Sequence, residues 1–119
     1  MIKITDELRA RVTSAEGIVD HVYLDSLGKA TIGIGHLIQP HERDRFPEGK
    51  KISREEIDEL FDLDLNRAAA GADLLIQECI GHDLPTHIEH VIVEMVFQLG
   101  TQGVRNFSKM WKAMRVKDW

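Results

Sequence analysis

The segment from Glu16 to His36 constrains the fold more than any other part of the chain, because four glycines divide its short apolar runs. Gly17 suits the end of a helix. Residues 22–24 favour a strand, residues 25–28 favour a turn, and residues 30–32 favour a second strand. This order predicts a helix that ends at Gly17 and a small antiparallel sheet after it. We expect that sheet to occupy residues 21–38.

The same segment carries two carboxylates and a hydroxyl group that suit catalysis. Glu16 comes at the predicted helix end, Asp25 follows the first predicted strand and Thr31 lies on the second. Hydrolysis of a glycosidic bond requires one carboxyl group that stays protonated and another that stays ionised. The negative end of a helix dipole disfavours the anion at Glu16, which suits the protonated role. Solvated surface charge is the alternative reading, since the chain contains 20 Asp and Glu residues.

Two blocks of the chain, far apart and in a fixed order, carry a recognisable motif. The first block is Glu16-Gly17, Tyr23-Leu24-Asp25, Gly28 and residues 31–37, and the second is residues 95–100, Gly103-Val104 and Phe107. The first block resembles the catalytic signature of the T-even phage type lysozymes, glycoside hydrolase family 24, and the second resembles that family's later block. The resemblance covers nearly the whole chain.

This resemblance implies an α+β, mostly helical fold with two lobes. It places a small antiparallel β-sheet lobe at about residues 14–52 and a long connecting helix at 53–80. The helical lobe is expected to comprise residues 81–119 together with an N-terminal helix at 3–14. All of these parts form one lysozyme-like domain.

The resemblance also implies an activity. Family members hydrolyse the β-1,4 bond between N-acetylmuramic acid and N-acetylglucosamine in bacterial peptidoglycan, without a cofactor and with inversion at the anomeric carbon. By resemblance, Glu16 is the general acid, Asp25 is the second carboxylate and Thr31 positions the attacking water. The expected setting is host lysis of the phage type, by an endolysin or by a tail-associated enzyme.

Five further residues acquire roles from the resemblance. Leu37, Phe97 and Gln98 match family positions that bind the sugar, although core packing is an equal alternative for Leu37 and Phe97. His36 and Asp64 match a structural ion pair, which would raise the pKa of the histidine. A general-base role for His36 is the alternative.

Apolar spacing and capping residues predict four helices along the chain. They cover residues 3–14, residues 53–80, residues 86–99 and residues 107–116. Ser53-Arg54-Glu55-Glu56 and Thr86-His87-Ile88-Glu89 have the form of capping boxes, and Gly100 is expected to stop the third helix. The polar residues 39–51 predict a loop with one helical turn. Gly71, inside the second helix, marks a place of close packing.

Composition excludes several classes of function. The net charge of −5 disfavours nucleic-acid binding. No apolar run approaches the ~20 residues that span a membrane, and acidic residues stand where a signal peptide would need an apolar stretch. Cys79, the single cysteine, suits a reducing compartment, and no histidine spacing predicts a metal site. We therefore expect synthesis in a host cytoplasm and action on the cell wall after release, through a holin or a tail device.

The C-terminal part departs from the family pattern. The chain ends at Trp119, where family members continue with further helices. An apolar patch around Met95, Trp111 and Met114 is therefore expected to be exposed and to favour self-association. The alternative function is a truncated or inactive lysozyme-fold module that binds cell-wall glycan or serves a structural role. The basic residues of this region form either a glycan-facing surface or a solvated helix face: Arg105, Lys109, Lys112, Arg115 and Lys117.

Overall fold

The computed structural model describes residues 1–116. In chain order its elements are α1 (Asp6–Glu16), β1 (Val19–Leu24), β2 (Ala30–Gly33), β3 (His36–Leu37), a 3-10 turn (Pro40–Glu42), α2 (Arg54–Cys79), α3 (Thr86–Arg105) and α4 (Ser108–Arg115). The predicted α+β, mostly helical fold class with a small antiparallel sheet is confirmed.

The chain divides into two compact units. Asp6–Asp64 form one, called the sheet unit below, and Met1–Thr5 with Leu65–Trp119 form the other, called the helical unit. Helix α1 belongs to the sheet unit, and within it Arg9 of α1 pairs with Asp62 of α2 and lies 5.8 Å from the ring centre of Phe61. The predicted boundaries of the two lobes stay a prediction.

Helix α1 places Glu16 at its last position. It begins at Asp6, three residues after the predicted start, and buries Leu8 and Val12 as the four-residue spacing predicted. Gly17 ends the helix with a positive φ of 75° while its N–H still bonds the carbonyl oxygen of Thr13 at 2.8 Å. The chain therefore turns into β1 directly after the glutamate.

The sheet has the order β1-β2-β3, and both neighbouring pairs are antiparallel. Tyr23 pairs with Thr31, and Thr31 pairs with Leu37. Directly opposed residues project to the same face, so these three side chains form one row across the sheet. The next pair, Ile32 with His36, projects to the other face and is buried.

Helix α2 begins as its sequence predicted. The Ser53 hydroxyl oxygen accepts a hydrogen bond from the backbone N–H of Glu56 at 3.1 Å, which is half of the expected capping box. The Glu56 carboxylate bonds Arg45 at 3.0 Å. Within the sheet unit this helix buries Ile57, Leu60 and Phe61, and within the helical unit it buries Leu65, Ala68, Ala72, Leu75 and Ile76.

The prediction of a second capping box at Thr86 is wrong. Pro85 occupies the N-cap position of α3 and makes no side-chain cap bond, because a proline ring has no hydrogen-bonding group to offer. The predicted stop at Gly100 is seen as a kink, with φ 76° and ψ 164°, after which helical structure resumes and continues to Arg105. Positive φ at this position interrupts the helix without ending it.

Of the three residues predicted to form an exposed apolar patch, two are buried: Trp111 and Met114 are only 2% and 8% exposed, whereas Met95 is half-buried. Self-association of the chain stays a prediction. The indole N–H of Trp111 donates to the carbonyl oxygen of Val104 at 3.1 Å, which satisfies its one polar group inside the core of the helical unit. Lys117 and Trp119 lie outside the described residues.

Candidate active site

The carboxyl group of Glu16 lies against the backbone of the loop between β2 and β3. A Cβ placed on Gly35 would be 2.8 Å from Oε2 of Glu16 and 3.0 Å from its Cδ. Gly35 also has a positive φ of 66°, a conformation that favours glycine. The glycine motif of the sequence thus gives the glutamate the space it occupies beside the sheet.

The carboxyl group of Asp25 is fixed by the hairpin that follows it. Its Oδ1 accepts the backbone N–H of Leu27 at 2.9 Å and that of Lys29 at 2.8 Å. Its backbone oxygen accepts the N–H of Gly28 at 2.9 Å, which closes the turn. Oδ1 accepts both side-chain hydrogen bonds, so Oδ2 can interact with groups outside the turn.

Tyr23 lies on β1, two residues before Asp25, and its phenol responds to the charges of Glu16 and Asp25. Burial raises the pKa of the Tyr23 phenol above its ordinary value, and the negative charges of Glu16 and then Asp25 raise it further. The charges of both predicted catalytic carboxylates therefore reach this strand of the sheet.

Thr31 lies opposite Tyr23 on the neighbouring strand and is buried. Its hydroxyl group donates to the carbonyl oxygen of Lys29 at 3.0 Å. With its hydrogen used in this way, the oxygen of Thr31 retains only acceptor capacity. A water molecule beside it would therefore donate to Oγ1 and keep a lone pair for attack elsewhere.

The predicted sugar-binding residues are divided between the two units. Leu37 belongs to the sheet unit, continues the row of Tyr23 and Thr31, and is 41% exposed. Phe97 and Gln98 lie on α3 in the helical unit, where Phe97 is half-buried and Gln98 is exposed. Their binding of sugar stays a prediction.

His36 is held between two carboxylates on the other face of the sheet. Its Nδ1 lies 2.7 Å from Oδ2 of Asp64, and its Nε2 lies 3.0 Å from Oε1 of Glu42. The ring also meets Phe46 edge-on, with 6.2 Å between centres. Burial by itself lowers the pKa of His36, but the bonds and charges of Asp64 and Glu42 outweigh it, so that the pKa is raised. With both ring nitrogens engaged, this arrangement favours a structural role over general-base catalysis.

Glu42 is the member of this cluster that sequence reasoning missed. Its carboxylate bonds His36 and also accepts the backbone N–H of Gln39 at 3.0 Å. Burial raises the pKa of Glu42, but the Gln39 N–H and His36 oppose it, and the net pKa is lowered. The sequence signals the helical turn, because Pro40 followed by Glu42 is typical of a short helical start, but it does not signal the contact with His36.

A second missed histidine contact lies in the helical unit. His90 is buried on α3, and its Nε2 lies 2.9 Å from the carbonyl oxygen of Lys3. Within residues 1–116 no group of three or more His, Cys, Asp or Glu side chains is arranged to hold a metal ion. Over the same residues, no helix combines the length and the apolar character needed to cross a membrane.

The phage lysozyme family matches residues 13–119 of the chain. Among known proteins, a probable T4-type lysozyme 2 of Dictyostelium discoideum is 30% identical, over 87% of this chain and 72% of its own. The pre-baseplate central spike protein Gp5 of Enterobacteria phage T4 is 32% identical, over 87% of this chain but only 21% of its own. These matches confirm the resemblance drawn from the motifs: the chain belongs to the phage lysozyme family.

Proposed function

We propose that the chain is a muramidase, which hydrolyses the β-1,4 bond between N-acetylmuramic acid and N-acetylglucosamine in bacterial peptidoglycan. One observation carries the proposal: in a chain of the phage lysozyme family, Glu16 at the end of α1, Asp25 in the turn after β1 and Thr31 on β2 all belong to the sheet unit. Glycoside hydrolysis requires such a pair of carboxylates, and Thr31 adds a hydroxyl group that can hold the water.

Each group has a distinct part in the proposed reaction. Glu16, in its protonated form, donates its proton to the glycosidic oxygen as the bond to the anomeric carbon breaks. Asp25, in its ionised form, stabilises the positive charge that develops on the sugar and takes a proton from the attacking water. The water adds its oxygen to the anomeric carbon from the opposite face, so that the product has inverted configuration.

Thr31 contributes the position of that water. Its hydroxyl hydrogen is already donated to Lys29, so it receives a hydrogen bond from the water. The variant Thr31→Ser keeps this acceptor and is expected to clear peptidoglycan at a rate near that of the parent. The variant Thr31→Val removes it and is expected to be slower by about a hundredfold, since misplacing a reactant is costly.

Loss of turbidity of purified peptidoglycan tests the proposal directly. The parent chain is compared with Glu16→Gln, which cannot donate the proton, and with Glu48→Gln, which changes an exposed glutamate of the loop before α2. We expect clearing by the parent and by Glu48→Gln, and none by Glu16→Gln. A folded parent that clears nothing would overturn the muramidase proposal, and equal clearing by all three would remove Glu16 from its role.

The products identify the bond and the stereochemistry. Cleavage as proposed leaves N-acetylmuramic acid at the new reducing end, and proton NMR recorded during the reaction should show the inverted anomer first. A reducing end of N-acetylglucosamine would contradict the assigned bond. A first product with retained configuration would contradict the water-attack step.

We propose that the enzyme is made in the host cytoplasm and reaches the wall after release. The two routes are a holin pore and delivery with a phage particle. The name of the phage relative, a pre-baseplate central spike protein, favours the second route. Detection of the chain in purified particles would support delivery with the particle, and its presence only in the lysate would support release through a pore.

A further inference from the structure

His36 meets a carboxylate at each of its two ring nitrogens, and all three residues belong to the sheet unit. Nδ1 lies 2.7 Å from Oδ2 of Asp64 on α2. Nε2 lies 3.0 Å and 3.1 Å from the two oxygens of Glu42 in the 3-10 turn. An ionised carboxylate only accepts hydrogen bonds, and an imidazole donates from both nitrogens only when it is protonated. The full set of contacts therefore exists only while His36 carries its positive charge.

Residues 39–46, called the strap below, follow β3 and are attached to the rest of the sheet unit at two ends. The near end is residues 39–42, where Glu42 meets His36 and also accepts the backbone N–H of Gln39 at 3.0 Å. His41, in the same turn, also acts electrostatically on Glu42. The near end is thus attached through a side chain that titrates near neutral pH.

The far end of the strap is attached in a different way. Phe46 is buried and meets the ring of His36 edge-on, with 6.2 Å between centres. Arg45 lies 4.8 Å from the ring centre of Phe46 and bonds Glu56 of α2 at 3.0 Å. Apolar burial and an ion pair between these two side chains require no proton on the histidine.

Loss of one proton leaves His36 a single N–H for two carboxylates. Asp64 keeps it, because its contact is the shorter one and because it lies on a helix of 26 residues, whereas Glu42 lies in a turn of three. The lone pair of Nε2 then faces the oxygens of Glu42 at 3.0 Å, and neither side has a hydrogen to share.

We propose that the near end of the strap is a pH-sensitive latch, closed while His36 is protonated and released when His36 is neutral. Release frees Glu42, while Phe46 stays buried and β3 stays paired with β2. The side-chain amide of Gln39 donates to the carbonyl oxygen of Leu37 at 3.1 Å, so the released end begins beside a predicted sugar-binding residue. The latch itself does not depend on the proposed function.

Exchange of the Gln39 backbone N–H with water, measured by NMR, reports the near end because this group donates to Glu42. The matched reference is the N–H of Leu27, which donates to the carboxylate of Asp25 at 2.9 Å in a turn without a histidine. Base catalysis speeds both exchange rates alike, so their ratio removes it. As His36 titrates, followed by its own ring signals, the Gln39 rate should gain about tenfold over that of Leu27, the scale of a hydrogen bond to a charged group.

Ile38 distinguishes release of the latch from opening of the sheet. Its backbone N–H donates to the carbonyl oxygen of Ala30 at 3.0 Å, one residue before the strap. Its exchange rate relative to that of Leu27 should stay constant while His36 titrates. An equal rise at Ile38 and at Gln39 would show that the sheet opens as a whole and would overturn the latch.

Glu42→Gln tests the contact between the two acceptors. Its amide oxygen can accept from Gln39 and from protonated His36, as Oε1 does in the parent, and its amide nitrogen can donate to the bare Nε2 of neutral His36. The step in the ratio should therefore vanish. Glu48→Gln, at an exposed glutamate of the following loop, is the matched control and should keep the step. A constant ratio in the parent, a step at a pH where His36 does not titrate, or a step that survives in Glu42→Gln would each overturn the latch.

Discussion

The Glu16 carboxyl group occupies the space that a side chain at residue 35 would fill, with 2.8 Å between Oε2 and the position of a Cβ on Gly35. Gly35 therefore serves two purposes. It supplies a positive φ of 66° in the turn between β2 and β3, and it leaves room for the proposed general acid. A substitution at this residue affects both the turn and the acid.

For Gly35→Ala we expect a large loss of clearing activity with a modest loss of stability. The left-handed backbone conformation costs an alanine about 1–2 kcal/mol, which a folded domain tolerates. The new methyl group must also displace the Glu16 carboxyl group, and a misplacement of about 1 Å costs a catalyst on the order of a hundredfold in rate. Clearing rates and denaturant unfolding of the same preparation measure the two effects.

Gly49→Ala is the matched control for this prediction. Gly49 has a positive φ of 84° in the loop before α2, but a Cβ there meets nothing within 4 Å. It should lose similar stability and keep its activity. If the two alanine variants lost activity equally, the contact between residue 35 and Glu16 would have no part in the effect.

Asp25 has a structural role in the turn that can be separated from its proposed catalytic role. The variant Asp25→Asn keeps a side-chain oxygen to accept the N–H groups of Leu27 and Lys29 but loses the negative charge. We expect it to retain the stability of the parent and to lose activity. Asp25→Ala should lose activity and, in addition, about 1 kcal/mol of unfolding free energy, because two backbone donors lose their acceptor.

Thermal unfolding and peptidoglycan clearing, measured for both Asp25 variants, distinguish the structural role from the catalytic role. The matched control is Asp44→Asn, which neutralises an exposed aspartate in the loop that follows the 3-10 turn. High activity in Asp25→Asn would show that the charge is unnecessary and that the residue acts only as a turn-former. Equal stability of the asparagine and alanine variants would contradict the structural role of Asp25 in the turn.

Local sequence patterns were sufficient to predict most of the helices and strands. The turn at Asp25, the helix end before Gly17 and the cap at Ser53 depend on residues within a few positions of one another. Such features follow from backbone preferences and short-range hydrogen bonds. The close packing predicted at Gly71 is confirmed, since a Cβ there would lie 2.5 Å from Oγ1 of Thr101. The sequence allowed this prediction because a glycine inside a long helix costs stability that close packing can offset.

The features that sequence reasoning missed depend on contacts between distant residues. Trp111 is buried, and its indole N–H donates to the carbonyl oxygen of Val104 on α3. Glu42 reaches His36 only because the 3-10 turn folds back on the sheet. Hydrophobic periodicity predicts which side chains of a helix or strand face the core and which face solvent, but it does not predict which residue each side chain contacts.

The cluster of His36, Asp64 and Glu42 should make stability depend on pH. The pKa of His36 is raised above its ordinary 6.5, so the stabilisation is complete below about pH 6.5 and is lost as the pH rises through the folded-state pKa. The pKa of Glu42 is lowered from 4.5, so its contribution is present above that pH and is lost as the pH falls through the folded-state pKa. The cluster should therefore stabilise most between about pH 4.5 and 6.5.

For His36→Gln we expect a loss of about 2 kcal/mol of unfolding free energy at pH 5.5, the scale of a hydrogen bond to a charged group. The loss should become smaller as the pH rises through the raised folded-state pKa of His36, since the parent histidine then gives up its charge. Denaturant unfolding at a series of pH values measures this difference. His87→Gln, at an exposed position of α3, is the control, and a His36 effect that did not change with pH would contradict the ion-pair explanation.

Gly71→Ala should destabilise the helical unit although alanine is the better helix former. Alanine gains about 1 kcal/mol of helix propensity, but its Cβ would lie 2.5 Å from Oγ1 of Thr101 and 3.2 Å from Cγ1 of Val96. Overpacking of this kind costs about 1–3 kcal/mol, so the net loss should reach about 1 kcal/mol. Thr101→Ala removes the nearer atom, and the double variant should recover part of the loss in denaturant unfolding. Strictly additive effects would mean that residues 71 and 101 do not compete for the same space.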